Sequence, residues 1–414
     1  MHGAGMAGTV EPMIDQQAYA QYLPIEKHEL LRTALGSAVS HIFRVDELQD
    51  PDRSPLPFFA QAVGFAVIDS CGRLEVGFPI HYCLVRSDES AFSVRLNDWA
   101  CVAVSYHFAL RLFLMTSGLT FSEPLVSYRQ DVRVEDDYEK RTFIDRQEMI
   151  RIVALSTLIN EPQRPLAKML THVALNFIAN HEFTHIVNGH LLGGAGAVLG
   201  ENGGRGDVGR LLELRTLEYD ADALAVQMSM HHFLGMARGT VECTPDEIEF
   251  LGNDSDAVHT AFAGACIAMC MIDALQSFSL PESPHGHAHP PATYRLLAMM
   301  SAAENALAIL RRDGRLSLSA DAVRAALTRV VRAIELAISE QADARPDPLL
   351  LAVEMGSRSE HDAEIYRCWT RLRPGLARYK LGGHLLAAAQ YDLDGNPLPR
   401  SRPELRHMIR PDES

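Results

Sequence analysis

Residues Pro165 to Leu192 read PLAKMLTHVALNFIANHEFTHIVNGHLL, and the five residues His181-Glu182-Phe183-Thr184-His185 within them decide how the rest of the chain is read. Leu166, Met169, Leu170, Val173, Phe177 and Ile178 recur at helical spacing, so the stretch is predicted to be a helix, begun at Pro165 and ended by Gly193-Gly194. On a helix His181 and His185 project from one face, one turn apart, where two imidazoles can grip one metal ion. Glu182 stands about 100° round the axis from His181. It is placed to reach a water at that ion rather than the ion itself, which is where a general base belongs.

A buried helix carrying two histidines and a glutamate inward needs partners for them. Leu217-Glu218-Tyr219-Asp220-Ala221-Asp222-Ala223 lies in a second helical pattern, roughly Asp207 to His232, with Leu211, Leu212, Leu214, Leu217, Ala221 and Leu224 as its apolar set. Three acidic residues at 218, 220 and 222 also suit a solvated helix face; the HExxH pattern upstream favours a metal centre instead. A carboxylate from Glu218 completes three protein ligands and leaves the fourth place on a tetrahedral Zn2+ open, as hydrolytic sites require. Asp222, one turn on, is then expected to fix a histidine tautomer.

HEFTHIVNGH followed by EYDAD resembles the HExxH and ExxAD pair of the gluzincin zinc metallopeptidases that include the CAAX prenyl proteases and the HtpX-type proteases. His289-Pro290-Pro291 with Arg295 six residues after the histidine is similar to a third segment of that family. The resemblance covers about residues 166–300 and implies zinc on His181, His185 and Glu218, Glu182 as base, and His289 and Arg295 organising the site or steadying charge in the transition state. Tyr294 is a further donor of that kind. Those families are mostly membrane proteins with a longer separation between the second histidine and the glutamate. A more compact soluble relative is therefore expected, and by layout and size the chain also resembles the Lit-type phage-exclusion peptidases. The metzincin pattern does not fit: it needs a third histidine six residues beyond the second, where this chain has Leu191, with His190 one place early.

Composition narrows the partners. The chain of 414 residues carries 38 basic and 53 acidic side chains, a net charge of −15, and no large basic block. Nucleic acid and anionic membrane surfaces are poor partners for it, whereas a protein or peptide substrate is compatible. Seven cysteines, at 71, 83, 101, 243, 266, 270 and 368, form no CxxC pair and suit reduced thiols, with Cys266 and Cys270 read as core residues. Residues Met1 to Ala20 lack the basic start and apolar run of a signal peptide, so a cytoplasmic location is expected.

In chain order, 1–20 is read as a flexible tail, 21–135 as an N-terminal α/β domain, 136–315 as the zinc metallopeptidase domain, and 316–414 as a helical C-terminal region and tail. Tyr22 to Phe43 reads as helical and Asp46 to Pro57 as a connector. Gly64 to Phe78 reads as a hairpin turning at Ser70-Cys71-Gly72, with Ile80 to Val85 as a third strand. Leu96 to Met115 reads as a packing helix, too short and too charged to span a membrane. A charge run at Glu135 to Arg141 marks a boundary, and Asp145 to Asn160 reads as a helix. The glycine-rich stretch Gly193 to Gly206 lacks the Lys-Ser or Lys-Thr of a phosphate loop and reads as a loop beside the active site. Further helices are expected over Asp254 to Phe278, Tyr294 to Leu310 and Ala320 to Ala342, and the alternate histidines 285, 287 and 289 are read as a loop that brings His289 to the metal.

The fold expected is α+β and mostly helical: a zincin-like core, an N-terminal α/β portion and a helical C-terminal region. The function expected is that of a soluble zinc endopeptidase cutting an intracellular protein, in the manner of a toxin or phage-defence protease. The alternative is a catalytically silent zinc-containing binding or regulatory protein.

Overall fold

The computed structural model describes residues 19–48, 55–120, 164–191, 198–200, 208–242, 250–275, 292–312 and 359–382, with isolated positions between them. It is mostly helical with one small mixed sheet, an α+β arrangement. The helices are α1 (His28–Leu35), α2 (Val45–Leu48), α3 (Leu56–Arg73), α4 (Tyr106–Leu119), α5 (Arg164–Val187), α6 (Val208–Ala237), α7 (Asp254–Leu275), α8 (Ala292–Arg312) and α9 (Ser359–Leu376). The strands are β1 (His41–Ile42), β2 (Ile80–Arg86), β3 (Ala91–Arg95), β4 (Ala100–Ser105) and β5 (Val198–Gly200), in the order β1-β2-β4-β3-β5.

Helix α5 holds the HEFTH stretch, and α3, α4, α6, α7 and strands β3 and β4 all pack on it. Every residue from Met169 to His190 is buried, so α5 has no solvent face beyond its first turn, where Lys168 is exposed. A helix enclosed on all sides must satisfy its polar side chains internally. Ser70 Oγ of α3 donates to Asn180 Oδ1 at 2.5 Å, and Asn180 Nδ2 donates to Asn176 Oδ1 at 2.9 Å. The hydroxyls of Thr116 and Thr171 share a hydrogen bond of 2.6 Å between α4 and α5.

Strand β2 runs parallel to β4, and β3 lies on the far side of β4, antiparallel to it and to β5. Ser93 on β3 stands opposite Val102 and Leu199, which sets one hydroxyl in the middle of the sheet. The cysteine sulfurs of Cys83 and Cys101 lie 3.7 Å apart across the β2–β4 pair as thiols, and burial pushes the Cys101 thiol well above its usual range.

Several expectations from the sequence change here, among them the connector Asp46 to Pro57, which overlaps α2 and the start of α3. The Gly64 to Phe78 hairpin is instead the body of α3 and the loop after it, because Phe59, Ala60, Val63, Ala66 and Val67 are all buried on helical spacing. Leu96 to Met115 divides into β4 and α4, joined without a break at Ser105-Tyr106. Helix α5 stops at Val187 rather than at Gly193-Gly194. Ile80 to Val85 is a strand, and the helices expected near 207–232, 254–278 and 294–310 are α6, α7 and α8. Tyr22 to Phe43 is helical only over Ile25 to Ala38, in α1 and two flanking 3-10 turns. The expected elements at 145–160 and most of 320–342, the charge run at 135–141 and the histidines 285, 287 and 289 lie outside the described residues.

Among the described residues α7 alone is long and apolar enough to cross a membrane by length and composition, and 72% of that window is buried inside the protein. It packs tightly on α5 at Gly264: a Cβ there would lie 2.3 Å from Val173 Cγ1 and 2.6 Å from the Val173 backbone. Gly264→Ala is expected to force the two helices apart and cost about 1–3 kcal/mol, at the upper end because backbone must move. Thermal or urea unfolding checks this, and an unchanged midpoint would remove the close crossing as a constraint.

Between α3 and α6, the Asp69 carboxylate accepts from Arg73 Nε at 2.8 Å and lies 3.0 Å from His232 Nδ1. Burial pushes the His232 imidazole below its usual range against the pull of Asp69. The unfolded chain takes up that proton near pH 6.5, before the folded protein does. The contribution of His232 is therefore complete above that pH and is lost as the pH falls toward the folded value. Unfolding free energy is expected to decline just below pH 6.5, and His232→Phe to flatten that part of the profile.

Candidate metal centre

One and a half turns before the end of α5, His181 and His185 turn their Nε2 atoms toward each other at 3.1 Å. The carboxylate of Glu218, from α6, spans both rings: Oε2 lies 3.3 Å from His181 Nε2 and Oε1 lies 3.4 Å from His185 Nε2. All three side chains are buried. Sequence periodicity alone could not set the two helices in this register. The packing of α6 on α5 does so.

The spacing bears on which ligand fits. Donor atoms on a tetrahedral zinc at about 2.0–2.1 Å stand roughly 3.3 Å from one another. The two Nε2 atoms stand 3.1 Å apart, near that value, each meets its own Glu218 oxygen at 3.3 and 3.4 Å, and two imidazoles with one carboxylate could hold a metal ion such as zinc. No other group of three or more His, Cys, Asp or Glu among the described residues meets on one point in this way.

Asp222 backs this cluster. Its Oδ1 lies 2.9 Å from His181 Nδ1, and Arg295 of α8 grips it with both Nε, at 2.7 Å to Oδ2, and Nη2, at 2.8 Å to Oδ1. Nη2 is also 3.4 Å from Glu218 Oε2. Burial works to raise the Asp222 pKa, but the Arg295 guanidinium and His181 outweigh it and hold the carboxyl below its usual range. Burial opposes charge on His181 as well, yet Asp222 and Glu218 together push its pKa up to about 10. This pocket has more anionic than cationic character around His181, so it calls for a proton or a metal ion.

Glu182 is buried on the adjoining face of α5, where its Oε2 accepts a hydrogen bond from Ser93 Oγ of β3. The hydroxyl stabilises the carboxylate form and fixes its rotamer. Ser93 was not legible as a site residue; its only signal was a serine inside the apolar run Ala91 to Val94.

The helix end shapes the other side. Gly189 has φ +77, and the Gly189 and His190 amides bond the Ile186 and His185 carbonyls, a Schellman cap. This reversal swings His190 back beside His185, with Nδ1 to Nδ1 at 2.9 Å, and sets its Nε2 2.9 Å from Asp220 Oδ2. Asn188 Nδ2 donates to the same oxygen at 2.6 Å.

The structure therefore brings His181, His185, Glu218, Asp222 and Arg295 together, and holds Glu182, the residue after His181, on Ser93 of β3. His289 lies outside the described residues, as does the Tyr294 side chain. Compared with protein-family models, curated proteins and solved structures, the chain has no match.

Replacing Arg295 by Met is expected to leave Asp222 and Glu218 as uncompensated buried carboxylates and to cost about 3–5 kcal/mol. Denaturant unfolding of the metal-free protein tests this; a loss below about 0.5 kcal/mol would show that the guanidinium does not carry this charge.

Proposed function

We propose that the chain is a zinc-dependent endopeptidase of zincin-like architecture, with His181, His185 and Glu218 holding the metal and Glu182 as general base. The observation that carries this reading is the meeting of His181, His185 and Glu218 from two helices as one buried group of possible metal ligands, with the neighbouring carboxylate of Glu182 held by a separate hydrogen bond. The resemblance of HEFTH, EYDAD and Arg295 to the gluzincin pattern points the same way. A role in toxicity or phage defence rests on the resemblance in layout and size to the Lit-type peptidases, and an intracellular substrate on the reading of residues Met1 to Ala20.

When bound, zinc supplies Lewis acidity, polarising the scissile carbonyl and lowering the pKa of water toward about 7. The work of the chain is to place and move protons around it. Glu182 takes a proton from the attacking water on a carboxylate oxygen and delivers it to the leaving amine. Ser93 holds Oε2 of Glu182 and so fixes the carboxylate against β3. Asp222 keeps the proton of His181 on Nδ1, which leaves the Nε2 lone pair for the metal. Arg295 holds Asp222 in place and neutralises the surplus charge of two carboxylates.

The depth of the site supports a second reading. His181, His185, Glu182 and Glu218 are each no more than 5% exposed, which also suits a metal clamp in a binding or regulatory protein without turnover.

One comparison separates the two. Wild-type protein and Glu182→Gln are loaded with zinc, metal content is counted, and cleavage of an unfolded protein is followed by mass spectrometry. An endopeptidase retains about one zinc per chain in both forms and loses about 10²–10⁴ in rate in the variant. Chelation stops the wild type and added zinc restores it. Zinc binding without cleavage in the wild type favours the clamp; absence of zinc binding defeats both readings.

A further inference from the structure

We infer that His190 and Asp220 form a positioning relay that sets the tautomer of His185 and so prepares its Nε2 for a metal ion. This rests on the metal-centre reading and extends it to two residues that the ligand set does not include. His190 is not itself placed as a ligand: one ring nitrogen faces His185 Nδ1 at 2.9 Å and the other faces Asp220 Oδ2 at 2.9 Å.

The polarity of the chain follows from its end. A carboxylate only accepts, and Asp220 is fully buried with Asn188 Nδ2 donating to the same Oδ2. The His190 nitrogen facing it, Nε2, must carry the hydrogen. A neutral imidazole has one N–H, so His190 Nδ1 is left as an acceptor. It can then only receive from His185, whose hydrogen is thereby held on Nδ1. His185 Nε2 is left bare, directed at His181 Nε2 and Glu218. Each metal-facing imidazole thus ends on its own buried aspartate: His181 directly on Asp222, and His185 through His190 on Asp220.

The relay explains two features of the sequence. Gly189 takes the left-handed conformation that returns His190 to the helix it has just left. Asp220 lies two residues from both Glu218 and Asp222, so one stretch of α6 serves the ligand role and both tautomer-fixing roles.

The test compares zinc affinity, by competition with a chromophoric chelator, in wild type, His190→Phe, His190→Gln and Asp220→Asn. Circular dichroism confirms that each is folded. Phe keeps the ring volume and removes both hydrogen bonds; Gln can still accept from His185 and donate to Asp220. Affinity is expected to fall about 10–100-fold in His190→Phe and Asp220→Asn and to recover most of that in His190→Gln. In parallel, 15N-histidine NMR of wild-type protein is expected to show His190 protonated on Nε2 and His185 on Nδ1. Wild-type affinity in His190→Phe, or a His190 hydrogen on Nδ1, overturns the relay while leaving the metal centre standing. A wild-type protein that binds no zinc overturns the metal centre, and this inference with it.

Discussion

A carboxylate at the junction of three helices governs this structure. Asp222 belongs to α6, touches His181 of α5 and is gripped by Arg295 of α8, all of them buried. Ionised side chains are tolerated at such depth only when each has a partner of opposite sign or a hydrogen-bonded substitute. The pair therefore fixes the rotation of α6 against α5. That rotation carries Glu218, one turn before Asp222, onto the imidazoles.

Around that junction the site draws on elements of different kinds. Strand β3 contributes the hydroxyl that holds Glu182, and the cap at the end of α5 contributes His190. The residues with the clearest chemistry are thus supported by residues that only tie one element to another. Reactive side chains held from two directions lose little freedom when a ligand arrives, the condition for a preorganised centre.

Which residues meet at the candidate site was more legible in the sequence than the fold. Helical spacing of four residues pairs His181 with His185 and Glu218 with Asp222 before any tertiary contact is known, and the structure brings these residues together. The short apolar runs were not legible in the same way. Phe59 to Val67 is rich in small and β-branched residues buried on most sides, so neither period dominated and Ser70-Cys71-Gly72 passed for a turn. Ala100 to Ser105 runs into α4 without Gly or Pro, and a strand joined so to a helix leaves no punctuation. His190 was weighed only as a ligand by its spacing from His185. The left-handed Gly189 that returns it to the helix is a backbone event that residue counting does not register.

The separation in sequence of the residues that meet here has a consequence for biosynthesis. Ser93, Glu182, Glu218 and Arg295 arise on β3, α5, α6 and α8, so the centre draws on a strand and three helices spread over some two hundred positions. Contacts of such long range form late, after the intervening chain has closed its own loops. On the ribosome the cluster stays without its guanidinium until α8 has emerged. A nascent chain can hold the two histidines well before it can balance the acidic side chains around them, so the buried cluster is among the last features of the molecule to be completed.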